Sequence, residues 1–279
     1  MEQFQLEGLE PQKGRILPVR NHRLRRGIYL LPGACTVGNL FCGYFAIMAT
    51  LKGGATDLDY AARAIGFAFL FDSFDGALAR ITRTSSELGR ELDSLADVVS
   101  FGIAPAFLAF AWGARGMLSI ATLEAHFTYK FGWLVSFIFV ACCAWRLARF
   151  NIQGMAPESP RYFVGLPAPA AAATIAAIVH AFVRSWPPIT DWRFSFLWLL
   201  VVLGLAVLMP SKTRYWTFKS LQLQKRYHSI AILLIAVLIA TIVINSEVTL
   251  LLISSFYVVQ GIVLHAIRAL RRHGTPRAA

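Results

Sequence analysis

The chain predicts an all-α fold, a polytopic membrane helix bundle of about eight transmembrane helices, and three observations lead there. Hydrophobic residues make up 57% of its 279 residues and mean hydropathy is +0.57. The apolar residues gather in long runs instead of alternating with polar ones, which argues against half-buried strands. Eight of these runs approach the length of about 20 residues that a helix needs to cross the hydrocarbon layer: 33–51, 61–81, 93–112, 132–150, 165–185, 194–210, 229–245 and 248–266.

Charge orients the bundle. Eight spans put both termini on one side, and of the 27 Lys and Arg, 21 fall on that side and 6 on the other. Basic loops stay cytoplasmic, so the termini and the 81–89 loop are expected inside the cell, with the cell inner membrane as the location. The net charge of +12 sits beside apolar spans and not on a soluble module. It therefore points to anionic membrane lipids as partners and to no nucleic acid. Residues 1–31 read as a cytoplasmic juxtamembrane segment ending in Arg20, Arg23, Arg25 and Arg26. It lacks the apolar core and cleavage site of a signal peptide.

Span 2 ends in Asp72-Ser73-Phe74-Asp75-Gly76-Ala77-Leu78-Ala79-Arg80, and span 3 carries Asp93 and Asp97. A carboxylate at membrane depth costs about 3 kcal/mol or more unless something compensates it. Asp72, Asp75, Gly76 and Ala79 share one helical face, and Asp93 and Asp97 are one turn apart. A short polar loop between the spans makes them antiparallel neighbours, so four carboxylates are expected to meet near the cytoplasmic surface. All-oxygen ligands suit hard divalent ions such as magnesium, manganese or calcium, and a pair of ions suits phosphoryl transfer. Gly76 and Ala79 leave clearance for a phosphate, and Arg80 offers a planar fork for its oxygens.

These residues, D-x2-D-G-x2-A-R-x8-G-x3-D-x3-D from Asp72 to Asp97, resemble the signature of the CDP-alcohol phosphatidyltransferases. The resemblance implies an integral membrane enzyme that moves a phosphatidyl group from a CDP-linked donor to an alcohol and releases CMP. It implies two divalent cations (Mg²⁺ or Mn²⁺), one on Asp72, Asp75 and Asp93 and the other on Asp72, Asp93 and Asp97. It gives Asp97 the role of general base and places Gly76, Ala79, Arg80, Ser86 and Gly89 toward the CDP moiety, with Thr36 and Asn39 from span 1. Gly33 stands where the family usually has Asn.

Further stretches resemble the members that use L-serine as acceptor: 31–43, Arg146-Leu147-Ala148-Arg149-Phe150-Asn151, Phe163 to Ala172, and Ser211 to Tyr215 with Phe218 and Lys219. The implied donor is CDP-diacylglycerol, and the implied assembly is a homodimer. Glycerol 3-phosphate or inositol phosphate stand as alternative acceptors, and a cation-coupled transporter as an alternative class. Residues 32–220 are then the catalytic domain with a six-helix core, and 221–279 add two helices and a basic tail.

Arg146, Arg149 and Asn151 are candidates for the acceptor or a lipid phosphate, although basic residues at a span end also snorkel to the interface. Asp72 and Asp75 have a plainer alternative as structural ion pairs with Arg80 and Arg83. Cys35, Cys42, Cys142 and Cys143 lie in apolar runs without metal-ligand spacing and are read as packing residues. His180 and His265 stand alone in apolar spans and receive no role.

Overall fold

The structure is a computed structural model that describes residues 22–82, 87–153, 162–185, 189–211, 213–216 and 228–273. Each expected apolar run becomes a helix: α1 (His22–Lys52), α2 (Ala55–Thr82), α3 (Glu87–Asp97) continuing into α4 (Ala104–Gly113), α5 (Leu123–Gln153), α6 (Ala168–Phe182), α7 (Trp192–Leu208), α8 (His228–Ile244) and α9 (Ser246–His273). By length and composition, Gly33–Lys52, Glu87–Gly113, Leu123–Ile152 and Ser246–His265 each suffice to cross a membrane, while α6 and α7 are shorter apolar helices of 15 and 17 residues. α1 already begins at His22, so the last part of the basic juxtamembrane segment continues the first span's helix. Residues 1–21, Ser86 and Lys219 lie outside the described residues.

Burial is arranged for lipid. Small residues fill the contacts between helices, among them Ala46, Ala61, Ala64, Ala68, Ala104, Ala109, Ala171 and Ala172, while Phe41, Phe45, Phe67, Trp133, Phe137 and Trp145 face outward. Without a hydrophobic drive inside a bilayer, close backbone approach is what holds helices together. The four cysteines are free thiols, with Cys143 buried, in line with a packing role.

Two local features shape the functional end. The third span is not one regular helix: between α3 and α4, Val98–Ile103 forms a π-helical turn directly after Asp97. At that turn α1 comes so close that a Cβ on Gly43 would lie 2.8 Å from the Ser100 Cα. Ser100 donates its hydroxyl proton to the Asn39 carbonyl at 2.8 Å. α4 is in turn clamped to α7, because Trp198 Nε1 donates to the Ala109 carbonyl at 2.9 Å and Ser195 donates to the Gly113 carbonyl.

Second, the chain entering α6 docks on the end of α7. Three-residue strands β1 (Tyr162–Val164) and β2 (Arg214–Trp216) pair antiparallel, a small ribbon added to the all-helical fold. Gly165 at φ +87° then turns the chain, donating from its N–H to the Thr213 carbonyl at 2.7 Å. A Cβ there would lie 2.2 Å from the Met209 carbonyl oxygen, so only glycine fits. Pro167 and Pro169 then start α6.

At the opposite end of the bundle, Asp59 is 3% exposed and accepts from His180 Nδ1, from Arg63 at 2.9 Å and from Arg184 at 3.2 Å. His180 Nε2 lies 2.8 Å from the Ser246 hydroxyl, and Arg184 reaches Glu247 at 3.5 Å. This network ties α2, α6 and α9 together, and it gives His180 a structural partner that its isolated place in the sequence does not show.

Gly43→Ala is expected to lower stability by about 1–3 kcal/mol, because the added methyl meets backbone at the π-helical turn. A reduced thermal unfolding midpoint in detergent micelles is the measurement that checks it.

Candidate active site

The expected carboxylates converge in part. Asp72 on α2 and Asp93 and Asp97 on α3 each present an oxygen within 4.8 Å of the other two. The i, i+4 spacing puts Asp93 and Asp97 on one face of α3, and α3 packs beside α1 and not extensively along α2, so that Asp72 meets this face from the end of α2. The loop expected over 81–89 is shorter: α2 runs to Thr82 and α3 starts at Glu87, so Gly89 lies in the first turn of α3 and not in a loop.

Asp75 takes a different direction from Asp72. It is 7% exposed and accepts a hydrogen bond from the Thr36 hydroxyl of α1. The three-residue spacing of Asp72 and Asp75 thus splits them between the α3 carboxylates and α1, although both remain close enough to Asp93 to repel it. Asn39, fully buried on α1, donates from Nδ2 to Asp97 Oδ1 at 3.0 Å. The π-helical turn that binds the Asn39 carbonyl through Ser100 therefore also fixes the side chain that orients Asp97.

The donor set fits hard divalent cations. Two carboxylates 4.8 Å apart repel by about 3–4 kcal/mol at an effective dielectric of about 20. Three at that spacing in a partly buried cleft need compensating positive charge. Asp93 Oδ1 is buried and has no hydrogen-bond partner among the described residues, as a ligand oxygen turned toward an ion would be. All the donors are oxygens, which excludes a zinc-type thiolate or imidazole site.

Around this centre, Gly76 faces open space, since a Cβ there would meet nothing within 4 Å. Ala79 and Arg80 lie on the last turns of α2, one helical turn and two turns beyond Asp75 and Asp72. The three α5 candidates separate. Arg149 donates to the Pro210 carbonyl at 3.3 Å, and Asn151 donates to the Ser94 hydroxyl at 2.9 Å, so both tie α5 to its neighbours. Arg146 instead interacts with Asp97, and its Nε is buried with no hydrogen-bond partner among the described residues. The sequence reading missed Asp59, Ser94 and Ser100; each owes its role to a partner distant in sequence, and no local motif marks it.

Comparison with known proteins identifies the family. Residues 29–210 match the CDP-alcohol phosphatidyltransferase family. The chain is 29% identical over 243 residues to a CDP-diacylglycerol–serine O-phosphatidyltransferase of Helicobacter pylori, covering 85% of this chain and 91% of that protein. It is 33% identical over 190 residues to the protein of the same name in Bacillus subtilis (68% of this chain, 91% of that one). The Mycobacterium leprae protein of that name is 30% identical over 230 residues (79% and 70%).

Asp93→Ala is expected to abolish divalent-cation binding, because it removes the carboxylate that faces both partners and the oxygen with no other bond. Titration calorimetry with manganese, run with and without a chelator, checks it; a manganese heat unchanged from that of the parent protein would refute the ligand assignment.

Proposed function

We infer the reaction from a premise the match establishes: the chain belongs to the CDP-alcohol phosphatidyltransferase family. It transfers the phosphatidyl group of CDP-diacylglycerol to the hydroxyl of L-serine, giving phosphatidylserine and CMP. The observation that carries this reading is the convergence of Asp72, Asp93 and Asp97 in a chain whose relatives named above bear the serine-specific name. The serine oxygen attacks the phosphorus that bears the diacylglycerol, the bond from that phosphorus to the bridging oxygen breaks, and CMP departs with the electron pair.

Two divalent cations, magnesium or manganese, when held by Asp72, Asp75, Asp93 and Asp97, neutralise the pyrophosphate and the charge that develops on the departing CMP. The protein's own groups position the rest. Thr36 fixes Asp75, and Asn39 holds one oxygen of Asp97. The other Asp97 oxygen is left to accept the serine hydroxyl proton, a task that positioning makes sufficient even for a weak base. Gly76 gives the nucleotide phosphates room to approach. Arg80, Ser86 and Gly89 are assigned to the CDP moiety by their match to the family signature. Arg146, with its buried Nε and its link to Asp97, is assigned to the serine carboxylate.

The split of 21 Lys and Arg against 6 supports a multi-pass protein of the inner membrane with this site on the cytoplasmic side. On that side free serine and CDP-lipid meet at the headgroup level. The division into residues 32–220 as catalytic domain and 221–279 as an appended hairpin and tail, and a homodimeric assembly, are proposed from the family resemblance.

An assay of CMP release with each alcohol in turn should give product with L-serine and little with glycerol 3-phosphate or inositol phosphate; a preference for either of the latter would overturn the acceptor assignment. Asp97→Asn should retain CDP-diacylglycerol binding while losing about 10²-fold or more in kcat, as expected for a lost proton acceptor. Full turnover in that variant would remove Asp97 from the role of base.

A further inference from the structure

On α5 the residues Ile138, Ala141, Cys142 and Trp145 recur at helical spacing and form a single stripe. With Pro210, just beyond the end of α7, they line an open apolar groove of about 270 Å³. Arg149 continues the stripe four residues after Trp145, and its Nη1 donates to the carbonyl of the same Pro210 at 3.3 Å. The groove therefore has a guanidinium at one end and apolar walls along its length.

That charged end lies level with the carboxylates. A Cβ on Gly102 would lie 3.3 Å from the Cys143 Sγ, and Asn151 donates to the Ser94 hydroxyl at 2.9 Å. Gly102 follows Ser94 by eight positions and Asn151 follows Cys143 by eight, so the third span and α5 run antiparallel in step. Ala148, next to Arg149, falls opposite Asp97. Ile138, eleven residues before Arg149, lies about 16 Å deeper at 1.5 Å per residue. That is about half of the roughly 30 Å hydrocarbon layer, the depth of one leaflet. An apolar groove of one leaflet's depth with a cation at its headgroup end matches one chain of a phospholipid in both shape and charge.

We propose that this groove seats one acyl chain of CDP-diacylglycerol, with Arg149 beside the lipid's phosphate, and so sets the depth at which the reacting phosphorus meets Asp72, Asp93 and Asp97. The proposal rests on the reading of CDP-diacylglycerol as the donor. Burial in the groove adds little affinity by itself, because the surrounding lipid is as apolar as the wall. What it supplies is position. A chain held along α5 fixes the height and rotation of the glycerol, and geometry of that kind is felt in kcat/KM. Cys142 on the stripe and Cys143 against the third span are about 100° apart around α5, so the chain lies beside the carboxylates and not between them.

The test uses the full-length enzyme in detergent micelles. A CDP-diacylglycerol carrying a photoreactive diazirine midway along one acyl chain is expected to label the peptide that holds Ile138 to Trp145. Excess unlabelled CDP-diacylglycerol should suppress the label, and excess phosphatidylcholine should leave it. Equal suppression by phosphatidylcholine makes the groove ordinary lipid-facing surface, and label elsewhere with none on this peptide means another occupant, such as a second copy, covers it; either result overturns the proposal. Ala141 is exposed, so Ala141→Trp fills the groove without entering the core. With a long-chain donor its kcat/KM for CMP release should fall at least about fivefold, while Phe137→Trp, also exposed but off the stripe, changes it less than about twofold. With a dihexanoyl donor, too short to reach Ala141 about 12 Å below Arg149, Ala141→Trp and the parent should agree within about twofold. A loss of equal size with both donors, or none with either, overturns the proposal as well. If the parent releases no CMP from either donor, the donor reading itself falls, whereas failure in the groove experiments alone leaves that reading standing.

Discussion

Like charges held together against their own repulsion are the constraint on which the rest of the molecule depends. Asp72, Asp93 and Asp97 would separate if the two helices that carry them were free to move, so the surrounding structure has to supply the force that keeps them close. It comes from neighbours of unlike kind. The backbone contact between Gly43 and Ser100, the fully buried Asn39 amide and the Thr36 hydroxyl all belong to the α1 interface. α1 is thus more than a membrane anchor, because it carries the polar groups that set the direction of the acidic ones.

The two ends of the bundle solve the same electrostatic problem in opposite ways. At one end several carboxylates face each other and call for cations from outside the protein. At the other a single carboxylate, Asp59, is held by the protein's own Arg63 and Arg184 and by the His180 ring. A buried charge satisfied in this way is structural, and only an unsatisfied set has capacity left for a ligand. The contrast separates chemistry from scaffold without any appeal to sequence motifs.

The sequence made the helices legible because a bilayer imposes long apolar runs, and it made the acidic cluster legible because helical spacing alone puts Asp93 beside Asp97. It did not show that Asp72 and Asp75 diverge, since a three-residue step leaves two side chains some 60° apart and only the position of α1 decides which neighbour each meets. The π-helical turn after Asp97 was equally hidden, because Val98-Val99-Ser100-Phe101-Gly102-Ile103 reads as ordinary apolar helix. Asp59 and His180 are 121 residues apart, so no periodicity could pair them. Arg146, Arg149 and Asn151 looked equivalent in sequence, and their separate duties follow from which neighbours lie opposite each one.

The shortness of α6 and α7 has a consequence for the surrounding lipid. Helices of 15 and 17 residues extend about 22–26 Å at 1.5 Å per residue, less than the roughly 30 Å of a typical hydrocarbon layer. A bilayer meets such a deficit by thinning against the protein. Thinning on the side where α2 ends and α3 begins would lower the water boundary toward the carboxylates. With the boundary so lowered, a zwitterionic amino acid that partitions poorly into oil and a lipid that never leaves it would share one depth, and neither would have to cross into the other's solvent to react.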